Sequence, residues 1–456
     1  MARIRSETKR QRSSLRGFLF LWVVLCLVLS QGISSSDALD ISLIGADPGP
    51  NDTGEIPAWE GYANLPCPSD YAPGQYFPNP YKDEKRLFRI DYTNVEKYKD
   101  RLSPSQVLRL KKHKRFYMNV YPTHRNVEFC PEFYAAVQKN KETCFVDKDG
   151  MLQGFNGAIA IPRPKNGLEA IWNVCRMYLG DDARSVQCRR IVGPSGGIKK
   201  TIWETKVINY GETRIKSRPF PNPEGVFRKI RNLTLFPADE KGVDYLTISY
   251  LDARRLDDTW LFLPTLRRVR RAPSLANGAQ LDGELTMDEN GIEFRGTVGD
   301  WDWKLLGKRE MYVAYNCYDM FLPDSEDEDE CWAMDLNPER IRYELHRVWV
   351  VEGTLKEGVV HPYSKRVGYY DEDSWQPVLG DRYDRRGNLW RMYEAYGYAD
   401  SCNKMRMYAG YIYMNLESGR YELFGGCRKI VPGTTVYDTG LDESEFTVEA
   451  LRKSGR

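Results

Sequence analysis

The sequence predicts a mainly β chain with a few helices, in which an antiparallel meander bends into a barrel or an open half-barrel. Three observations carry this. From about residue 200 onward, apolar and polar residues alternate with a period of two. Turns such as "DEDS", "DRRGN" and "LESGR", with Gly or Asp where tight reversals need them, separate those runs. Tyr (29) and Trp (11) are abundant, which suits sheets and apolar grooves rather than disorder.

The chain is 456 residues long, a length that suits two or three domains or one large β-rich domain. With 41% hydrophobic residues it can bury a sizeable core. Lys plus Arg is 66 and Asp plus Glu is 64, a net charge of +2. That balance argues against nucleic acid as a partner, because such binders carry a concentrated basic excess.

Taken in order, residues 1–38 read as an export signal. The basic stretch "RIRSETKRQRSSLR" precedes the apolar run "GFLFLWVVLCLVLS" at 17–30, which is shorter than the roughly 20 residues of a spanning helix. "SDA" at 36–38 places small residues at the −3 and −1 positions, so cleavage is expected after Ala38. The cysteines suit an oxidising compartment. Eight fall into sequential neighbours: Cys130 with Cys144, Cys175 with Cys188, Cys317 with Cys331, and Cys402 with Cys427. Local bridges within these pairs leave Cys67 unpaired, although spacing alone does not fix connectivity. No C-x-x-C or Cys/His cluster occurs, so no metal is expected.

Residues 39–165 form an extended N-terminal wrap with short helices. Its first part is rich in Pro, Gly, Asn and Tyr and has neither helical nor strand periodicity. In "LSPSQVLRLKKHKRF", Ser103 caps a helix, Pro104 takes its first position and Gln106 completes a capping box. A second short helix is expected in "PEFYAAVQKNK".

Residues 166–456 are read as the β domain, entered through a lid helix. In "NGLEAIWNVCRMYLG", Asn166 and Glu169 have capping-box spacing and Gly180 ends the helix. Leu168, Ile171, Trp172, Cys175 and Leu179 line one oily face, with Leu168, Ile171 and Trp172 as the lid candidates. In "RYELHRVWVVEGTL", alternation predicts a half-buried strand with Arg342, Glu344 and His346 on its solvent side. In "WLFLPTLRRVRRAP", "WLFL" is one arm of a hairpin and "RRVRR" the other, so Arg268 and Arg270 share one face. Two readings stand for these arginines: pairs with carboxylates on a solvated face, or a lip that meets an anionic head group.

Catalytic signatures are weak. "GPSGG" at 193–197 matches a nucleophile elbow around Ser195, but strand-like "IKKTIWETKVI" follows where a helix is required, so an ordinary turn is expected. His113, His124, His346 and His361 are scattered, and His346 reads as a surface partner of Glu344. "DSEDEDE" at 324–330 lacks the spacing and glycine of a calcium loop and reads as a solvated loop, closed by Cys317 and Cys331. No cofactor motif emerges, and the chain reads as a binder rather than an enzyme.

Several long stretches together resemble one family. "GEIPAWEGY", "IPRPKNGLEAIWN", "LPTLRRVRRAP", "DWDWKLLGKREMYV", "NPERIRYELHRVWVVEGTLKEG" and "YYDEDSWQPVLGDRYDRRGNLWR" resemble the Gram-negative envelope family known as domain of unknown function thirteen twenty-nine. The resemblance runs from about residue 40 to 425. It implies a LolA/LolB-like, outer-membrane lipoprotein-sorting fold: an unclosed half-barrel whose apolar concave side is covered by helices. It further implies a periplasmic relay for a lipid or another hydrophobic molecule, beside a resistance-nodulation-division (RND) exporter and an outer-membrane protein. The cysteine richness and the acidic loop depart from that family pattern.

The physical reading agrees, since each acyl CH₂ buried in such a groove gains about 0.8 kcal/mol. The expected wall residues are Trp260, Phe262, Trp349, Val351, Tyr369 and Trp390, each alternating with polar neighbours, and Arg268 and Arg270 form the lip. The structural reading of the same wall residues is plain core. The competing functions are a lipid-acting hydrolase using Ser195, and a structural or sensing adaptor whose groove is filled by its own side chains.

Overall fold

Ser103 opens the first long helix as its spacing predicts. Its Oγ accepts from the Gln106 amide at 3.2 Å, and Gln106 Oε1 accepts from the Ser103 amide at 2.9 Å. The helix, Pro104–Lys112, lays Ser105, Gln106, Arg109 and Leu110 against the sheet. The computed structural model describes residues 40–272, 279, 285–286, 289, 293–320, 322, 325–426 and 435–454. The signal segment with Ala38, and Cys427, lie outside them. Ile41–Arg456 form one unit.

Among the described residues the sheet has 16 strands and is open. Two antiparallel meanders build it. One runs through Arg342–Leu355, Tyr363–Asp371, Pro377–Asp384, Leu389–Asp400, Met405–Asn415 and Tyr421–Gly426. The other runs through Asp182–Val192, Ile198–Asn209, Val226–Phe236, Asp244–Tyr250, Asp258–Leu263 and Arg268–Arg271. They are joined where Tyr421–Gly426 pairs with Asp182–Val192, the last strand of one meander meeting the first of the other. Trp301–Ala314 adds to the outer side of Arg342–Leu355. The wrap contributes Phe88–Ile90 and Met118–Val120 to the same sheet.

Three expectations are corrected here. The strand Arg342–Leu355 is not half-buried over its first turns: Arg342, Glu344 and His346 are all buried. The wrap covers their side, with Arg342 Nη2 donating to Glu84 at 2.7 Å and His124 N to Glu344 at 2.9 Å. His346 and Glu344 therefore form an interior pair, 3.0 Å apart, rather than a surface one.

The lid helix is shorter than its oily face suggested. It spans Gly167–Cys175, and Arg176 leaves helical geometry at φ −113° and ψ 21°. Asn166 caps it as expected, accepting from the Glu169 amide at 2.9 Å. Ala170–Val174 are buried on every side, so the element is an interior helix and not a one-faced flap.

The cysteine pairing also differs. Cys67 is bridged to Cys402 across 335 residues. The sequential pairs Cys130/Cys144, Cys175/Cys188 and Cys317/Cys331 are not bridged. Cys130 and Cys144 sit at opposite ends of the helix Pro131–Thr143, roughly 20 Å apart, whereas a bridge requires Cα atoms within about 7 Å. The acidic stretch makes a short helical turn, Asp327–Glu330, and Asp327 pairs with Arg190 at 2.5 Å and with Lys200.

Candidate functional site beneath the lid helix

Directly opposed residues on paired strands share a face. Gly353 opposes Arg366, Arg366 opposes Arg382, and Arg382 opposes Arg391. Three arginines thus form a row on one face of the sheet, and all three are buried. Two glutamates answer Arg366 and Arg382, and Arg391 donates to the Tyr363 hydroxyl at 3.1 Å. Arg382 Nε donates to Glu289 Oε1 at 2.8 Å, and its Nη2 lies 2.7 Å from Glu293 Oε1. Tyr363 and Tyr370 donate to Glu289 and Glu293 at 2.9 and 2.8 Å. The Arg366 guanidinium lies 4.4 Å from the Phe294 ring centre and 5.1 Å from that of Trp301. Beside this row Leu285 packs on Tyr393, Ala395, Tyr413 and Phe424.

The expected apolar floor is therefore corrected: the middle of this face is a charged network, filled by the protein's own Glu289, Glu293 and Phe294. Free space lies at its margin. A cavity of about 290 Å³ sits against Leu168 at the start of the lid helix. Met151, Val298, Trp301 and Trp303 give it an apolar wall, and Asp149, Asp302 and Lys356 a charged one. Gly167 lets the helix approach this closely, because a Cβ there would fall 2.4 Å from the Lys304 amide.

The structure scatters the residues that alternation had grouped as a wall. Val351 lies on the arginine-bearing face, opposite Gly368. Trp349 stacks on Trp375 at 5.1 Å, with Lys308 Nζ 4.5 Å from its ring. Trp390 meets Tyr363 edge-on at 5.8 Å and the Arg391 guanidinium at 3.7 Å. Tyr369 lies on the other face, donating to Asp381 at 3.0 Å beside Ser105 of the capped helix. Trp260 and Phe262 pack with Phe446 and Leu451 of the C-terminal segment. Arg268 and Arg270 are exposed on an edge strand opposite Leu263 and Leu261, and Arg271 pairs with Asp258. Of the lid residues, Leu168 reaches the cavity, Ile171 is fully buried, and Trp172 donates to the Gly150 carbonyl at 3.0 Å. Trp301 and Trp303 were missed. Their signal was present in "DWDWK", the same alternation that nominated the other tryptophans.

Ser195 sits in an exposed turn between the strands Asp182–Val192 and Ile198–Asn209, closed by the Gly193 amide donating to the Gly197 carbonyl at 2.9 Å. No helix follows to raise its hydroxyl over a strained turn. His346, Asp371 and Asp373 bring ligand-type atoms within 4.8 Å of one another. Arg125 already donates to both Asp373 oxygens, at 3.0 and 2.6 Å, so a protein cation supplies the charge a metal would bring. No helix of the described residues is long and apolar enough to cross a membrane.

The interior pair at Glu344 sets a pH dependence. Burial pushes its carboxyl up, but Arg342 and His346 outweigh that and hold it at about 2, against an ordinary 4.5. A depressed carboxylate stabilises the fold above its unfolded pKa, and that contribution is lost as the pH falls from about 4.5 toward 2. Its size is on the order of 3 kcal/mol. Glu344→Gln is expected to flatten the fall of urea-unfolding free energy across that window. An unchanged acid slope in the variant would remove Glu344 as its source.

The family model described as "Protein of unknown function (DUF1329)" matches residues 89–452. The chain belongs to this family. An uncharacterized protein of Pseudomonas aeruginosa is 34% identical over 420 residues, 90% of this chain and 91% of its own length. Among solved structures, this DUF1329 chain is similar to a DUF1329 protein from Desulfovibrio piger (TM-score 0.41, 18% identity, 60% of this chain and 92% of that one). It is also similar to a putative outer membrane lipoprotein-sorting protein domain from Vibrio parahaemolyticus (TM-score 0.43, 18% identity, 63% and 98%). A LolA superfamily protein from Nitrosomonas europaea gives a TM-score of 0.38 at 15% identity, with 63% and 100% covered.

Proposed function

We propose that this DUF1329 protein is a non-enzymatic periplasmic carrier for a lipid or another hydrophobic molecule, taken up beneath the lid helix. The observation that carries the reading is the cavity of about 290 Å³, with Met151, Leu168, Val298, Trp301 and Trp303 on one side and charged residues on the other. Such a lining suits an amphiphile, since apolar contact supplies affinity and a few polar groups fix orientation. Export is supported by the basic and apolar segments at 3–30, and an oxidising compartment by the Cys67–Cys402 bridge. The resemblance read from the sequence adds an RND exporter and an outer-membrane protein as the partners between which the guest passes.

Titration of the exported protein with the uncharged probe N-phenyl-1-naphthylamine tests this. Saturable binding with energy transfer from tryptophan is expected. Leu168→Trp, which fills the cavity, is expected to weaken binding about tenfold, the cost of losing one well-packed apolar contact set. Absence of saturable uptake, together with native mass spectra free of bound lipid, would refute the carrier.

A further inference from the structure

Half of the buried arginines of the described residues are answered closely by carboxylates. Arg109, Arg125, Arg190, Arg342 and Arg382 each meet one within 2.8 Å. Buried Arg176 and half-buried Arg228, at the end of the lid helix, pair with no carboxylate among the described residues. Arg176, at the end of the lid helix, is buried and among the described residues donates to the carbonyls of Tyr250 and Leu251, at 3.3 and 2.8 Å. Arg228 donates to the Met177 carbonyl at 3.1 Å, and its Nε is buried without a hydrogen-bond partner. Arg295 forms no ion pair among the described residues, and its charge acts on both.

The first two converge. The Arg176 and Arg228 guanidiniums lie 4.6 and 4.2 Å from the centre of one ring, that of Phe227. Arg176 also lies 5.3 Å from the ring of Trp172 in the lid helix. Burial, then the like charges of Arg295 and Arg176, draw the Arg228 guanidinium down to about 9. Asp257 attracts both guanidiniums and Asp252 that of Arg176, but both carboxylates are solvent-exposed, and Asp257 accepts from Ser249. Guanidiniums drawn out of water with no ion-pair partner among the described residues are costly, and a bound anion would remove that cost.

We propose that Arg176 and Arg228 form a headgroup subsite for an anionic amphiphile, one bearing a phosphate or carboxylate. This rests on the carrier reading and names the class of its guest. Leu168 at the cavity and Arg176 stand about 12 Å apart along the lid helix, so one end of the helix serves a tail and the other a head. Planar guanidinium forks match such an anion, and the aromatic rings beneath them hold the forks in place.

The test compares dodecyl phosphate, dodecyl maltoside and inorganic phosphate, each titrated calorimetrically into the exported full-length protein. Dodecyl phosphate is expected to bind about tenfold or more tighter than the maltoside, the weight of a charge-assisted hydrogen bond. Arg228→Gln and Arg176→Gln are each expected to erase most of that preference and leave the maltoside affinity within about twofold. Equal affinity for the two amphiphiles, or an unchanged preference in Arg228→Gln, overturns the subsite and leaves the carrier standing. Binding of inorganic phosphate alone, with neither amphiphile bound, overturns the amphiphile and the carrier together and makes the cluster a site for a free anion. No binding of any of the three refutes both. Should a glutamine variant fail to fold, Arg228→Lys keeps the charge and loses the fork, and the wild-type preference, with its weakening by salt, still decides the outcome.

Discussion

Arg382→Ala is expected to lower the unfolding free energy by about 3–5 kcal/mol, the cost of breaking a buried ion pair from one side. Arg382 is fully buried and holds Glu289 at 2.8 Å and Glu293 at 2.7 Å. Removing it leaves two carboxylates in the interior facing tyrosine hydroxyls, Thr286, Arg366 and a cavity the size of the lost guanidinium. The triple replacement Arg382→Met, Glu289→Gln and Glu293→Gln removes the charges together. It is expected to recover most of the loss, because a neutral interior of similar volume carries no uncompensated charge. Urea denaturation of the three proteins decides the matter. A single variant within about 1 kcal/mol of wild type would mean that water, not Arg382, compensates the two glutamates.

Reducing the Cys67–Cys402 bridge is expected to cost about 2–5 kcal/mol, because it closes a loop of 335 residues and so restricts the unfolded chain strongly. The effect should appear first in the wrap. Leu65 and Phe77 are buried on either side of Cys67, Tyr62 donates to the Met405 carbonyl at 3.1 Å, and Asn403 to Tyr71 at 3.2 Å. Dithiothreitol, or Cys402→Ser, should lower the denaturation midpoint and open the chain near residue 67 to proteolysis. Non-reducing peptide mapping should recover the Cys67 and Cys402 peptides as one species. A midpoint insensitive to dithiothreitol would show the bridge to be without structural weight.

Local chemistry was legible along the chain. The Ser103–Gln106 capping box, the Asn166 cap and the hairpin that places Arg268 and Arg270 on one face all depend on residues within a few positions of each other. Each formed as its spacing predicts. The alternating strands and their antiparallel succession followed from the same short-range rule. What misled was polarity at strand positions: Arg342, Glu344 and His346 look like a solvated face until the wrap covers them. Arg366, Arg382 and Arg391 were passed over for the same reason. The partners of Arg366 and Arg382, Glu293 and Glu289, lie more than 70 residues earlier in the chain.

By itself, then, the sequence determined a mainly β chain of antiparallel hairpins with a few capped helices, and through its long motifs it determined the family. Those are properties of neighbours, fixed by side-chain period, turn chemistry and cap spacing. Only the tertiary structure decided that two meanders join through Tyr421–Gly426 and Asp182–Val192, and that Cys67 meets Cys402. It alone set Arg366 and Arg382 against two glutamates and brought Arg176 and Arg228 together around Phe227 at the end of the lid helix. The physical reason is that charge compensation, cross-linking and cavity shape depend on distance in space, which strand alternation leaves open once the sheet curves back on itself.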